Sequence, residues 1–279
     1  MALKSLPKTQ VLDVSIHALS WHAVLKSIAG WVSRRESRVV CLCNVHSVVT
    51  AGRNAEFARV VTEADIAAPD GAPIAWMISR LRNTEQPRIN GPDLMLRYCG
   101  EAQARSEPIF LYGASELTLA SLKENLLQAY PGLQIAGAIS PPFRPLTPEE
   151  DSSIVARINA SGARVVFVSL GCPKQELWMA EHRNRIRAVM IGVGAAFDYH
   201  AGTLKRAPRL MQNLGLEWFH RFLSEPRRLW RRYLVTNTIF MARAFLQLIG
   251  SGRRPDRSVT PYGPLIVPQP FPEQSGKKE

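Results

Sequence analysis

Three short polar stretches carry residue types whose spacing suits chemistry: Ala68-Pro69-Asp70-Gly71-Ala72, Gly171-Cys172-Pro173-Lys174-Gln175-Glu176, and Gly192-Val193-Gly194 with Phe197-Asp198 just beyond. A carboxylate such as Asp70 is the simplest general base. Gln175 can pair with sugar hydroxyls or an amide-like ring edge, and Lys174 can face a phosphate. Each stretch also has a plainer reading. An Asp-Gly pair is common in turns, here one between apolar helices, and Gln175 and Glu176 can cap their own helix, with Pro173 at its first position. The Gly-x-Gly element lacks the third glycine of the dinucleotide fingerprint, with Phe197-Asp198 following instead, which argues against a nicotinamide dehydrogenase.

These stretches need a scaffold that holds them at one place. The run Arg38–Asn44 reads as a buried strand, followed by a helical stretch, a second helix around 54–64, and helices over 73–82 and 93–104. Pro108–Tyr112 is a core strand ending at Gly113, and 114–130 has helical spacing. Strands near 133–138, 164–169 and 187–193 alternate with helices near 148–160 and 173–184. Such units predict an α/β fold, a mainly parallel Rossmann-like sheet covered by helices on both faces. In such a sheet ligands gather at the carboxyl ends of the strands. The loops at Asn44, Gly113, Gly171–Glu176 and Gly192–Asp198, with Asp70-Gly71, are therefore expected to converge on one pocket.

Composition narrows the function class. The chain has 279 residues, 46% hydrophobic and 21% charged, enough for one large core or two modest lobes. Its net charge of +12 is local: residues 203–243 hold nine Lys/Arg against Glu217 and Glu225. Nucleic-acid phosphates and acidic lipid head groups are the two natural partners of that patch, and a solvated basic helix is the bland alternative. Around a helix, Arg227, Arg228, Arg231 and Arg232 fall within about 140° of arc, with Leu229, Trp230, Tyr233 and Leu234 on the remainder. No segment reads as a membrane span, so membrane contact is expected to be peripheral. Cys41 and Cys43 have no neighbouring His/Cys cluster and read as core residues; the N-terminus has no signal-like apolar run. The chain divides into 1–202 as an α/β catalytic domain, 203–250 as a basic helical appendage and 251–279, with six prolines, as a flexible tail.

Seven elements stand in a familiar order: NVHSVV at 44–49, ADIAAPDG at 64–71, RINGPDL at 88–94, LGCPKQE at 170–176, GVGAAFDYHAG at 192–202, KRAP at 205–208 and GLEWFHRFLSEPRRLWRRY at 215–233. In these the chain resembles the WecG/TagA/CpsF glycosyltransferases from about residue 12 to 245. The resemblance implies an inverting, metal-independent transferase without a cofactor, lying peripherally on the cytoplasmic, inner face of the cell membrane. Its substrates would be a UDP-sugar donor and a polyprenyl-diphosphate-linked sugar acceptor, in bacterial surface polysaccharide or exopolysaccharide synthesis.

Asp70 matches the family's proposed general base, Asn44 and Arg88 its polar pocket residues, and Gln175 and Asp198 positions associated with the nucleotide-sugar. Gly171, Gly192 and Gly194 shape the substrate crevice. Arg221, Arg228 and Arg231 fall in the appendage that the family uses toward lipid diphosphate and an acidic membrane surface. The resemblance gives no role to nucleic acid and is compatible with a homo-oligomer. The rival reading, a nucleic-acid-binding protein using the basic C-terminal helices, leaves the polar loops at 44, 70, 88 and 171–176 without a purpose. One departure is Leu42, where several family members carry a Thr two residues before the pocket Asn.

Overall fold

The computed structural model describes residues 6–250, with the side chains of Asn213, Arg228, Arg231 and Arg232 outside the description. The tail expected at 251–279 lies outside the described residues. A hairpin, β1 (Lys8–Val11) and β2 (Val14–His17), leads into α1 (Trp21–Ser33). There follow β3 (Arg38–Cys43), α2 (Val45–Ala51), α3 (Ala55–Glu63), β4 (Ile66–Pro69), α4 (Ala72–Arg82), α5 (Gly91–Arg105) and β5 (Ile109–Gly113). The chain continues through α6 (Glu116–Ala129), β6 (Ile135–Ile139), α7 (Pro148–Ala160), β7 (Val165–Ser169), α8 (Lys174–Glu181), β8 (Val189–Gly192) and α9 (Ala196–Ala201). It closes with α10 (Arg209–Asn213), α11 (Glu217–Ser224) and α12 (Pro226–Gly250).

Six strands form one parallel sheet in the order β4-β3-β8-β7-β5-β6. β3 and β4 build outward to one edge, β5 and β6 occupy the other, and β8, last in the chain, closes the gap between β3 and β7. Both faces are covered, which is why the strands read as continuous apolar runs rather than alternating ones. Successive side chains point to opposite faces. Cys41, Phe110, Tyr112, Val166, Val168 and Met190 meet α2, α3, α4, α7 and α8 on one side. Leu42, Leu111, Phe167, Val189 and Ile191 meet α1, α5, α6 and α9 on the other. Cys41 and Cys43 are buried in the first of these layers, as core residues.

The structure departs from the sequence reading in three places. Ile66–Pro69 is an edge strand, so Asp70 follows a strand and is not in a turn between helices. Its two alanines have low strand propensity, and Pro69 is tolerated because the strand is an edge that ends there. Pro173 is the residue before α8 and not its first helical residue, and the Cys172-Pro173 bond is cis. Gly113 is not among the residues lining the cleft over the other strand ends: it packs on Ser169 of the neighbouring strand.

The N-terminal hairpin is held from the far end of the chain. Gln247 of α12 accepts from the Leu12 N–H at 2.9 Å and donates to the Gln10 carbonyl at 2.7 Å. Arg243 makes a two-pronged pair with Asp13 at 2.6 and 2.8 Å. Phe240 and Ala244 of the same helix are buried against the core.

Gly113 has φ of +121°, and a Cβ there would stand 2.3 Å from the Ser169 carbonyl oxygen. Backbone on both sides leaves nothing flexible to yield. Gly113→Ala is therefore expected to destabilise the sheet by about 3 kcal/mol, lowering the melting temperature by about 5–10 °C in a circular-dichroism melt.

Candidate functional site

A cleft of about 580 Å³ opens over the carboxyl ends of β3, β4, β7 and β8. Each of those strands runs straight into a helix or a short loop, so α2, α4, α8 and α9 all begin on its rim, joined by α5. Helix N-termini concentrate unpaired N–H groups there and favour anionic ligands. The opposite wall comes from α11 and α12, through Glu217, Trp218, Arg221, Tyr233 and Phe240 among others.

Asn44 is the residue before α2, and its Oδ1 accepts from the Ser47 N–H at 3.1 Å, an N-cap that fixes the side chain. The amide thus held reaches the Asp70 carboxylate. Asp70 is anchored by its own N–H, which donates to the Cys43 carbonyl at 2.9 Å. Gly71, with φ of +88°, turns the chain from β4 into α4 directly after it. Burial pushes the Asp70 carboxyl up from the ordinary 3.8 to about 6, and the Glu217 charge adds to this; Arg88 and Asn44 oppose it, while Asp93 adds a smaller push. A carboxylate poised there can take a proton near neutral pH.

Arg88 reaches the cleft from the loop before α5, a loop tied to the strand end by the Ile89 N–H to Pro69 carbonyl bond at 2.8 Å. Its guanidinium donates to Glu217 at 3.0 Å. Glu217 also accepts from Arg206 at 3.0 Å, and Arg206 pairs with Asp93 at 2.6 Å. A chain of alternating charges therefore joins the α4–α5 connection to the start of α11.

On the other side of the cleft, Gln175 and Glu176 occupy the first turn of α8 and are buried. Gln175 donates from Nε2 to Glu176 Oε1 at 2.9 Å. Burial lifts the Glu176 carboxyl to about 7, opposed by the bonds from Gln175, its own N–H and Cys172. A Cβ on Gly192 would meet Met179 Cε at 2.8 Å and Gln175 Nε2 at 3.0 Å, so any side chain there would displace the ends of those two residues.

The cleft thus gathers Asn44, Asp70, Arg88, Gly171, Gln175, Gly192, Gly194 and Arg221 from the residues expected on sequence grounds. Asp198 is not among its lining residues. It sits within α9, where its carbonyl accepts from Thr203 and Leu204, while Ala195, Ala196 and Tyr199 of the same turn face the opening. The side chains of Arg228 and Arg231 lie outside the described residues. Leu42 lines the cleft, so the departure at that position faces the ligand space. Glu176 and Glu217 were not among the expected site residues. Both had a signal in sequence, an acid next to a candidate ligand residue and an acid inside a basic run, but each had an ordinary capping or solvated reading. Among the described residues no cluster of three or more His, Cys, Asp or Glu is placed to hold a metal ion.

This geometry accompanies a match to known proteins: the family model described as Glycosyl transferase WecG/TagA/CpsF family matches residues 9–254. The chain belongs to the WecG/TagA/CpsF glycosyltransferase family. Membership implies transfer of a glycosyl group from a sugar donor to an acceptor, in cell-surface polysaccharide synthesis. Nothing in it supports a nucleic-acid role for the basic helices. Among the described residues of this WecG/TagA/CpsF member, no helix is long and apolar enough to cross a membrane.

The raised proton affinity of Asp70 has a stability cost with a definite sign. Between about pH 4 and 6 the folded chain holds this proton more tightly than the unfolded one, so stability falls as pH rises through that window and stays lower above it. Asp70→Asn should consequently stabilise the protein at pH 7.5, by on the order of 2 kcal/mol. The gain should shrink toward zero near pH 4, as read by urea melts of both proteins at each pH.

Proposed function

We propose that this chain is an inverting, metal-independent transferase that moves a sugar from a UDP-sugar to a sugar on a polyprenyl diphosphate, with Asp70 as general base. The observation that carries this reading is the placement of Asp70 beside Asn44 and Arg88, in the same cleft as Gln175 and the glycines of the β8 loop. Asp70 takes the proton of the acceptor hydroxyl as that oxygen attacks the anomeric carbon. The bond from that carbon to the diphosphate breaks on the opposite side, and UDP departs with the electron pair. Negative charge grows on the departing diphosphate, so cations and N–H groups at the cleft are the stabilising elements. Arg88, Arg221 and the N-termini around the rim are suited to it, because a guanidinium binds two oxygens at once and stays charged.

The helices of 203–250 are the part assigned to lipid. α12 carries apolar residues on two sides. Leu229, Phe240 and Ala244 are buried, while Trp230, Leu234, Met241, Phe245 and Ile249 form a separate exposed row. Trp230 and Leu234 thus do not share the surroundings of Leu229. An exposed aromatic and aliphatic row beside arginines suits the head-group boundary of an acidic membrane. This supports a peripheral position on the inner face of the cell membrane; Arg221, which lines the cleft, is assigned to the lipid diphosphate, and the same assignment on sequence grounds for Arg228 and Arg231 concerns side chains outside the described residues.

Two measurements test the proposal. Asp70→Asn should reduce transfer by at least about 10³-fold while UDP binding stays within a factor of about two, and the wild-type rate should fall off below about pH 6. Unchanged turnover removes Asp70 from the role of base. Trp230→Glu with Leu234→Glu should abolish sedimentation with phosphatidylglycerol vesicles while circular dichroism shows the α/β fold retained; retained sedimentation would reject the α12 row as the docking surface.

A further inference from the structure

The floor of the cleft contains a polar pair whose hydrogen bonding is half complete. Gln175 is 4% exposed and Glu176 is 1% exposed. Their mutual bond at 2.9 Å uses Gln175 Nε2 and Glu176 Oε1. Gln175 Oε1 and Glu176 Oε2 are left buried with no hydrogen-bond partner among the described residues. The groups that act on the Glu176 carboxyl are Gln175, its own backbone N–H and the Cys172 thiol, with no cation among them. A thiol is a weak donor and leaves the demand unmet. Both residues line the cleft, and a Cβ placed on Gly194 would stand 3.8 Å from Gln175 Oε1, so the free oxygen lies beside a residue with no side chain to cover it.

Two buried acceptors select what can approach them. A phosphate or a carboxylate brings only further acceptors and is repelled. A uracil ring brings a single N–H. A sugar ring brings paired O–H groups on adjacent carbons, and each can donate. We propose that Glu176, with Gln175, forms a diol-binding subsite that accepts hydrogen bonds from two adjacent hydroxyls of an uncharged ring. This rests on the UDP-sugar reading above and assigns Glu176 a binding role within it. A nucleotide-sugar offers such a diol in two places, its ribose and its transferred sugar. The position of the carboxyl near 7, held there by burial, agrees with a group awaiting donors: O–H groups from a ligand favour its ionised form. Cys172 beside it and Cys41 and Cys43 of β3 are the titratable groups that feel its charge.

Calorimetric titration of the full chain with UDP, 2′,3′-dideoxy-UDP, UDP-glucose and UDP-N-acetylmannosamine tests the assignment, on the unmodified protein and on Glu176→Gln. The substituted amide can still accept from Gln175 but has no second acceptor. If the ribose is the occupant, removing its hydroxyls weakens binding to the unmodified protein about 10- to 100-fold. Glu176→Gln then weakens UDP, by less than the loss of both hydroxyls does because Gln175 Oε1 still accepts one, and leaves the dideoxy ligand unaffected. If the transferred sugar is the occupant, UDP and its dideoxy analogue bind both proteins alike, and the extra affinity of a UDP-sugar over UDP disappears in Glu176→Gln. Either pattern supports the subsite, and KM for donor should rise while kcat stays within about threefold. Equal weakening of all four ligands, unaltered binding throughout, or a loss of kcat at constant KM overturns it. Failure of UDP to bind the unmodified protein overturns the UDP-sugar reading and this inference together, and is thereby distinct from those outcomes. The dideoxy comparison on unmodified protein needs no variant to fold.

Discussion

The structure depends on β8 pairing at once with β3 and β7. Val189, Met190 and Ile191 are in register with residues of β3 on one side and of β7 on the other. That double pairing brings an early part of the chain, ending at Asn44, beside a late part ending at Gly192. Without it the Asn44–Asp70–Arg88 group and the Gln175–Glu176 pair would belong to different halves of the molecule. The cleft is therefore a product of strand order, with each wall supplied by a different stretch of sequence. Parallel pairing requires every strand to leave by the same edge, and so every following helix to begin there.

The site is also a place where ordinary rules of burial are broken. Two carboxyl groups, Asp70 and Glu176, sit where desolvation raises their proton affinity. One is surrounded by Arg88, Glu217 and Asn44, the other by an amide and a thiol. The same residue type is thus given two characters by its neighbours. Local destabilisation of this kind persists only because the surrounding sheet is firmly packed, with both faces covered.

Much of this was legible in the amino-acid order. β3, β5 and β7 announced themselves as unbroken apolar runs rich in Val, Ile and Phe, and the helix expected near 148–160 is α7, which the structure starts with a capping box of Thr147 and Glu150. β4 was not legible, since Ile-Ala-Ala-Pro has too little branched or aromatic character; only its pairing to β3 makes it a strand. The convergence of the 44, 70, 171 and 192 loops followed from the parallel pattern, whereas the exclusion of Gly113 did not, because strand order is a long-range property. Asp198 is missing from the lining of the cleft although Ala195, Ala196 and Tyr199 beside it are part of that lining, a distinction between close neighbours that the amino-acid order does not disclose. The pairing of Glu217 with both Arg88 and Arg206 was equally hidden: charges 129 and 11 residues away meet only in the fold.

The clasp between α12 and the first hairpin bears on how the protein is made. Leu12 and Asp13, at the tip of that hairpin, leave the ribosome long before Arg243 and Gln247, which complete their bonding. The hairpin must therefore wait for α12 to emerge before these bonds can be completed. Its native seat is finished by the last helix of the described chain, so the order of synthesis and the order of consolidation run in opposite directions.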